Sequence, residues 1–153
     1  MAGSLVDSSV WLAAVFPQHP YHVQAQEELA IATPHAPAVF CRATQQSFLR
    51  LITTPQILRT YAVEAMTNRS AWKTFELLRA HSGIVVHDEP SGAVALWHRL
   101  AAGDTASPKV WMDAYLAAFA ISGRLNFVTL DRDFKRYEVH GLRLRLLLDA
   151  GAP

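Results

Sequence analysis

The chain has 153 residues, 51% hydrophobic and 18% charged, with a formal net charge of +1; this is enough for one domain burying roughly 70% of its unfolded surface. A charge so close to zero does not by itself argue for nucleic acid, and the single Cys41 excludes an internal disulfide, while no Cys/His set has zinc-finger spacing. No apolar segment reaches the roughly 18 residues needed to cross a bilayer, and Asp7 interrupts Leu5-Val6 before a signal-type apolar stretch can form; one domain over residues 1–153, in a reducing cytoplasm and away from membranes, is therefore expected.

Residues 5–7 read as a first strand, after which Ser8-Ser9 offers hydroxyl caps to a short helix carrying Trp11, Leu12 and Val15 that Pro17 ends. A second helix is predicted over 22–31, with Val23, Ala25, Leu29 and Ala30 as its buried positions, followed by a connection punctuated by Pro34 and Pro37. Residues 42–52 form a third, with Phe48, Leu49 and Ile52 on one side. Asn68 is placed to cap a fourth, carrying Trp72, Phe75 and Leu78, which stops near Gly83. The β-branched run Ile84-Val85-Val86 is a strand, and His87-Asp88-Glu89-Pro90 leads from it into a helix through Val94, Trp97 and Leu100.

Ser107 with Pro108 at the first helical position starts the next helix, whose Ala114, Ala117 and Ala118 give a small-residue face suited to close packing on a sheet. Residues 127–130 make a strand ending at Asp131, and in 142–148 apolar residues alternate with Arg143 and Arg145 as on an edge strand. Strands separated by helices require crossover connections, which points to an α/β fold with three α/β/α layers and a mainly parallel central sheet.

Three acids fall where apolar runs stop: Asp7, Asp113 in the opening turns of its helix, and Asp131, with Asp133 two residues on. In open α/β sheets, ligands bind outside the carboxyl ends of the strands. Clustered carboxylates repel one another, and hard cations such as Mg²⁺ or Mn²⁺ relieve that repulsion through oxygen ligands. Taken singly, each acid is also an ordinary strand-end, turn or helix-start residue.

The segments Leu5-Val6-Asp7-Ser8-Ser9-Val10-Trp11-Leu12, Val110-Trp111-Met112-Asp113-Ala114-Tyr115 and Val128-Thr129-Leu130-Asp131-Arg132-Asp133-Phe134 resemble PIN-domain ribonucleases. Within that class the chain is most similar to the VapC toxins of bacterial toxin–antitoxin pairs, particularly the kind abundant in mycobacteria. The resemblance runs nearly end to end and includes residues 41–53, which look like the family's central helix. It implies an Mg²⁺- or Mn²⁺-dependent endoribonuclease that cleaves structured RNA such as a tRNA or ribosomal RNA loop and arrests growth. It also implies a homodimer neutralised by a cognate VapB-like antitoxin.

On that resemblance Asp7 and Asp113 hold the principal ion, with further acidic contributions from Asp131 and Asp133. Ser9 and Thr129 are supporting hydroxyls, and Arg50 and Arg132 are candidate phosphate contacts competing with a plain solvated-surface role. One departure stands out: many relatives carry a glutamate where this chain has Gln45, which supplies an amide oxygen but no charge. A catalytically silent PIN-like module that binds RNA or a partner is the corresponding alternative. An aspartate-nucleophile phosphatase would need Asp-x-Asp after the first strand, where Asp7 is followed by Ser8-Ser9. No P-loop or Gly-x-Gly-x-x-Gly turn is present. Trp11 and Trp111 are expected in the core or a dimer interface ahead of base stacking, His87 has no evident catalytic partner, and His19 and His22 read as surface residues.

Overall fold

The computed structural model describes residues 2–149; residue 1 and residues 150–153 of the expected domain lie outside them. Among the described residues five strands, β1 (Ser4–Val6), β2 (Ala38–Phe40), β3 (Ile84–Val86), β4 (Asn126–Thr129) and β5 (Arg143–Leu146), form one sheet in the order β3-β2-β1-β4-β5. Every pairing is parallel. The chain winds from β1 out to β3 on one side, then returns to place β4 on the other flank of β1. The order therefore reverses between β1 and β4, and there the carboxyl ends open a crevice for a ligand.

Short strands suffice because most of their apolar residues serve one of two cores. Val6, Ala38, Phe40, Ile84 and Val128 face one side with helices α1 (Ser8–Val15), α2 (His22–Ala30), α3 (Arg42–Ile52), α4 (Pro55–Thr60) and α5 (Asn68–Arg79). Leu5, Val39, Val85 and Phe127 face the other with α6 (Ala93–Ala101), α7 (Val110–Ser122) and the 3-10 segment Arg132–His140. The twofold alternation of strand side chains thus divides the apolar residues between two layers. In the first core Trp11 stacks on Phe40 with centroids 3.8 Å apart, and Phe75 meets Phe40 edge-on at 5.2 Å. Truncating Phe40 to alanine is worth about 3–5 kcal/mol in such a setting. In the second, Ala114 and Ala117 are fully buried, so the small face expected of α7 does lie in this core; Ala118 is buried as well.

Several local expectations shift. β2 was not anticipated: it lies in the connection after Pro37, as three apolar residues bounded by Pro37 and Cys41. The six-residue α4 and the 3-10 segment after β4 were likewise missed. The cap of α5 is Thr67, whose hydroxyl accepts from the Ser70 amide at 3.1 Å, and not Asn68. α7 begins at Val110 with Lys109 as its cap, because Ser107 and Pro108 are spent in a turn closed by the Val110 amide on the Ser107 carbonyl. On α2, Ala25 and Leu29 are buried but Val23 and Ala30 are exposed. Edge strand β5 is tied down by an ion pair from Arg145 to Glu28 of α2, so at least one of the carboxyl-terminal arginines has a structural partner. Gly83, just before β3, passes so close to the connection after α2 that a Cβ there would meet the Ala32 carbonyl oxygen at 2.5 Å.

Candidate active site

The first wall of the site is set by β1 and β4. Their register pairs Val6 with Val128, and the Asp7 amide continues the ladder to the Val128 carbonyl at 2.9 Å. Asp7 leaves the strand in extended conformation and caps α1: its Oδ1 accepts from the Ser8 amide at 2.8 Å. The Ser9 hydroxyl donates to Oδ2 at 3.4 Å. The principal restraint comes from 122 residues away, where the fully buried Thr129 at the end of β4 donates its hydroxyl to Asp7 Oδ2 at 2.7 Å. The same hydroxyl accepts from the Asp131 amide at 3.0 Å, so one side chain fixes the carboxylate of Asp7 and the backbone leading to Asp131.

Asp7 is only 8% exposed. Burial pushes its carboxyl above the usual carboxylate range, the hydrogen bonds from Thr129 and Ser8 work against that, and the nearby charge of Asp113 adds to it. Such a group favours a compensating cation.

The second wall joins the amino end of α7 to the 3-10 segment. Asp113 stands in the first turn of α7, and its side chain is 17% exposed. Burial raises its pKa; Lys109 opposes that shift, while Asp131 and Asp133 reinforce it. Asp131 caps the 3-10 segment by accepting from the Asp133 amide at 2.9 Å. All three carboxylates converge on one ammonium: Lys109 Nζ lies 3.7 Å from Asp113, 3.2 Å from Asp131 and 2.6 Å from Asp133. These acids raise the pKa of Lys109, chiefly Asp133 and Asp131 through hydrogen bonds, and Lys109 in turn lowers that of Asp133.

Of the expected residues, then, Asp7, Ser9 and Thr129 form one connected group, and Asp113, Asp131 and Asp133 another, linked through the Thr129 hydroxyl and the Asp131 backbone. Gln45 and Arg50 are not drawn into either group. Gln45 is buried on α3 with its amide oxygen accepting from Arg42. Arg50 is exposed and lines a cleft of about 520 Å³ with Gln46, Ser47, Met112 and Tyr115, the last two flanking Asp113 in sequence. Arg132 opens the 3-10 segment beside Asp131.

Trp11 is wholly core, with its indole N–H on the Val6 carbonyl at 2.9 Å, whereas Trp111 is half exposed and packs edge-on to Trp97. His87 is exposed. His19 is less peripheral than its sequence suggests. Its ring stacks on Tyr61 at 4.8 Å and its Nδ1 accepts from the Tyr21 amide at 3.1 Å. Burial, with His22 beside it, keeps its pKa below the ordinary value. His19, Tyr21 and Tyr61 line a groove of about 480 Å³ whose wall includes Asp7 and Asp131. Lys109 is the residue that sequence reasoning missed; its only signal was its place four residues before Asp113.

The donor set suits a hard divalent cation, because its charged members are carboxylates and the cluster already accommodates one cationic centre. Among the described residues no three or more His, Cys, Asp or Glu side chains are gathered tightly enough to form a ready-made metal cage. Mg²⁺ does not require one, since it commonly takes one or two carboxylates and completes its shell with water and substrate phosphate.

Comparison with known proteins extends this picture. Residues 4–139 match the PIN domain family. The chain is 43% identical over 146 residues to Ribonuclease VapC41 of Mycobacterium tuberculosis, covering 94% of this chain and 97% of that protein, in two strains. Among solved structures, the Sarcin-Ricin loop cleaving toxin VapC20 of M. tuberculosis is 18% identical with a TM-score of 0.60, covering 94% of this chain and 99% of that one. VapBC2 from Rickettsia felis, bound to a DNA fragment from its promoter, is 14% identical with a TM-score of 0.62 and covers 94% and 97%. At those identities the two structures bear on the fold alone.

Proposed function

The chain belongs to the PIN-domain family, among its VapC ribonucleases, and we propose that it is a single-domain, divalent-metal-dependent endoribonuclease toxin of a VapBC pair. The observation that carries this reading is the convergence of Asp113, Asp131 and Asp133 on one cationic centre, beside the buried and charge-strained Asp7.

Asp7 and Asp113 would hold an Mg²⁺ or Mn²⁺ ion, with Asp131 and Asp133 completing the acidic wall. Once bound, such an ion supplies Lewis acidity to the scissile phosphate and to the attacking water. The remaining work belongs to the chain. Thr129 and Ser8 hold Asp7 in one rotamer, so that no reorganisation is needed when substrate arrives. Asp131, its backbone fixed by Thr129, accepts a hydrogen bond from the incoming water and orients it toward phosphorus. Arg50, which lines a cleft with Met112 and Tyr115, would contact a phosphate flanking the scissile one.

The substrate follows from site shape and relatives together. An open crevice at strand ends admits a single-stranded or looped segment, whose bases are splayed out and readable, more readily than a duplex. A tRNA or ribosomal RNA loop is the target proposed here; VapC20, which shares the fold, is a Sarcin-Ricin loop cleaving toxin. A toxin of this kind acts in the cytoplasm, arrests growth and is neutralised by a VapB-like antitoxin, a partner proposed from the match to a VapC ribonuclease. A homodimer is the expected assembly. Among the described residues no helix is long and apolar enough to cross a membrane.

The test is cleavage of total cellular RNA by purified, antitoxin-free protein with Mg²⁺, Mn²⁺ or EDTA, beside an Asp7→Asn/Asp113→Asn double variant. Discrete cuts that need metal and vanish in the variant are expected. A folded protein that makes no cut with either metal would overturn the nuclease and favour a silent binding module, with Gln45 as the first residue to revert to glutamate.

A further inference from the structure

Lys109 is oddly placed for a residue with only a structural task. It is the cap residue of α7, a position that rewards Ser, Thr, Asp or Asn, yet its side chain makes no capping hydrogen bond. A cation there also faces the positive end of the helix dipole, an arrangement that disfavours it. What holds the ammonium is the acidic wall: Asp113 from α7 at 3.7 Å, Asp131 at 3.2 Å and Asp133 at 2.6 Å from the 3-10 segment. The side chain remains 62% exposed, on a flexible four-carbon stem, and so has an unobstructed way out to solvent.

We propose that Lys109, anchored by Asp133, is a built-in counter-cation that competes with the divalent ion for Asp113 and Asp131, and so sets the metal concentration at which the site fills. This rests on reading Asp113 and Asp131, with Asp7, as the metal site. Without an ion, the ammonium offsets repulsion among three carboxylates and keeps the amino end of α7 docked on the 3-10 segment. On ion binding it swings outward, and part of the binding free energy is spent on releasing it. Lys109 is thus a positioning residue acting through the acids, and its removal strengthens metal binding at the expense of metal-free stability.

The experiment is calorimetric titration of the purified full chain with Mn²⁺ alone, at low salt and without RNA, for wild type, Lys109→Met, Lys109→Gln and Lys109→Arg, each first checked for folding by circular dichroism. Removing a competitor held by exposed ion pairs should tighten Mn²⁺ binding by roughly three- to tenfold in the Met and Gln variants, and leave Arg near wild type. Unchanged or weaker Mn²⁺ binding in both neutral variants overturns the proposal, as does absence of Mn²⁺ binding in all four proteins. RNA cleavage is scored separately. Tighter Mn²⁺ binding in a chain that cuts no RNA would sink the nuclease and leave the competition standing, whereas cleavage with unaltered Mn²⁺ affinity would do the reverse. Should one neutral variant not fold, the other carries the comparison.

Discussion

Asp7 and Asp133 belong to the same acidic site and stand in opposite electrostatic states. Asp7 is 8% exposed, and its carboxylate is held by a backbone amide and three hydroxyls, one of them from the neighbouring strand. Its pKa lies above the ordinary value because burial outweighs those donors. Asp133 is 64% exposed, and its pKa is lowered, first by the hydrogen bond from Lys109. One wall of the site is therefore built into the sheet and stays negatively strained until a cation arrives. The other is assembled around a side chain that is free to leave. Rigidity at β1 and β4 gives geometric precision; adjustability at the α7 end gives control over charge.

The sharpest way to break this comparison is to neutralise the inner acids. Asp7→Asn and Asp113→Asn should each lower RNA cleavage by about a thousandfold, the several kcal/mol expected of a lost metal ligand, and should abolish growth arrest at equal expression. Stability should move the other way for Asp7. A carboxyl whose folded pKa is raised stabilises the fold fully below its unfolded pKa and progressively less as pH rises through the folded value. In EDTA, Asp7→Asn should therefore unfold later than wild type at neutral pH, and the gap should close on acidification toward about 3.8, the ordinary carboxyl value. A melt series against pH in which the variant is less stable at neutrality would show that the hydrogen bonds to Asp7 outweigh its burial.

Thr129→Val tests whether the inner wall owes its precision to the inter-strand contact. Valine preserves the shape of this fully buried residue while removing the donor to Asp7 Oδ2 and the acceptor of the Asp131 amide. A loss of about 1–3 kcal/mol in urea unfolding follows from stranding buried polar groups. Cleavage should fall by about 10–100-fold, as for partners that orient metal ligands. A variant that loses stability but keeps full turnover would confine Thr129 to the fold.

Much of this was legible in the sequence, and the failures follow a pattern. Asp7 and Asp131 announced themselves by ending apolar runs, and Asp113 by its place at a helix start, because strand and helix periodicity are local properties. Ala38-Val39-Phe40 is not legible as a strand, because three apolar residues flanked by Pro37 and Cys41 carry no readable period; only pairing with β1 and β3 makes them one. The Thr129–Asp7 contact spans 122 residues and exists only through the register of β1 on β4. Lys109 was invisible for a different reason. A lysine beside a proline reads as surface, and nothing short of the fold places Asp131 and Asp133 around its ammonium.

The smallest effect should come from the outermost acid. In Asp133→Asn, Lys109 keeps Asp131 and Asp113 as partners, and the interaction lost is solvent-exposed. The initial cleavage rate should therefore stay within about threefold of wild type. Whatever difference appears at low salt should shrink as ionic strength approaches about 0.15 M, where the screening length is about 8 Å. Rates measured across a salt series decide the matter. A fall of tenfold or more that persists at high salt would mean that Asp133 binds the ion directly rather than tuning Lys109, and the outer wall would then be as fixed in function as the inner one.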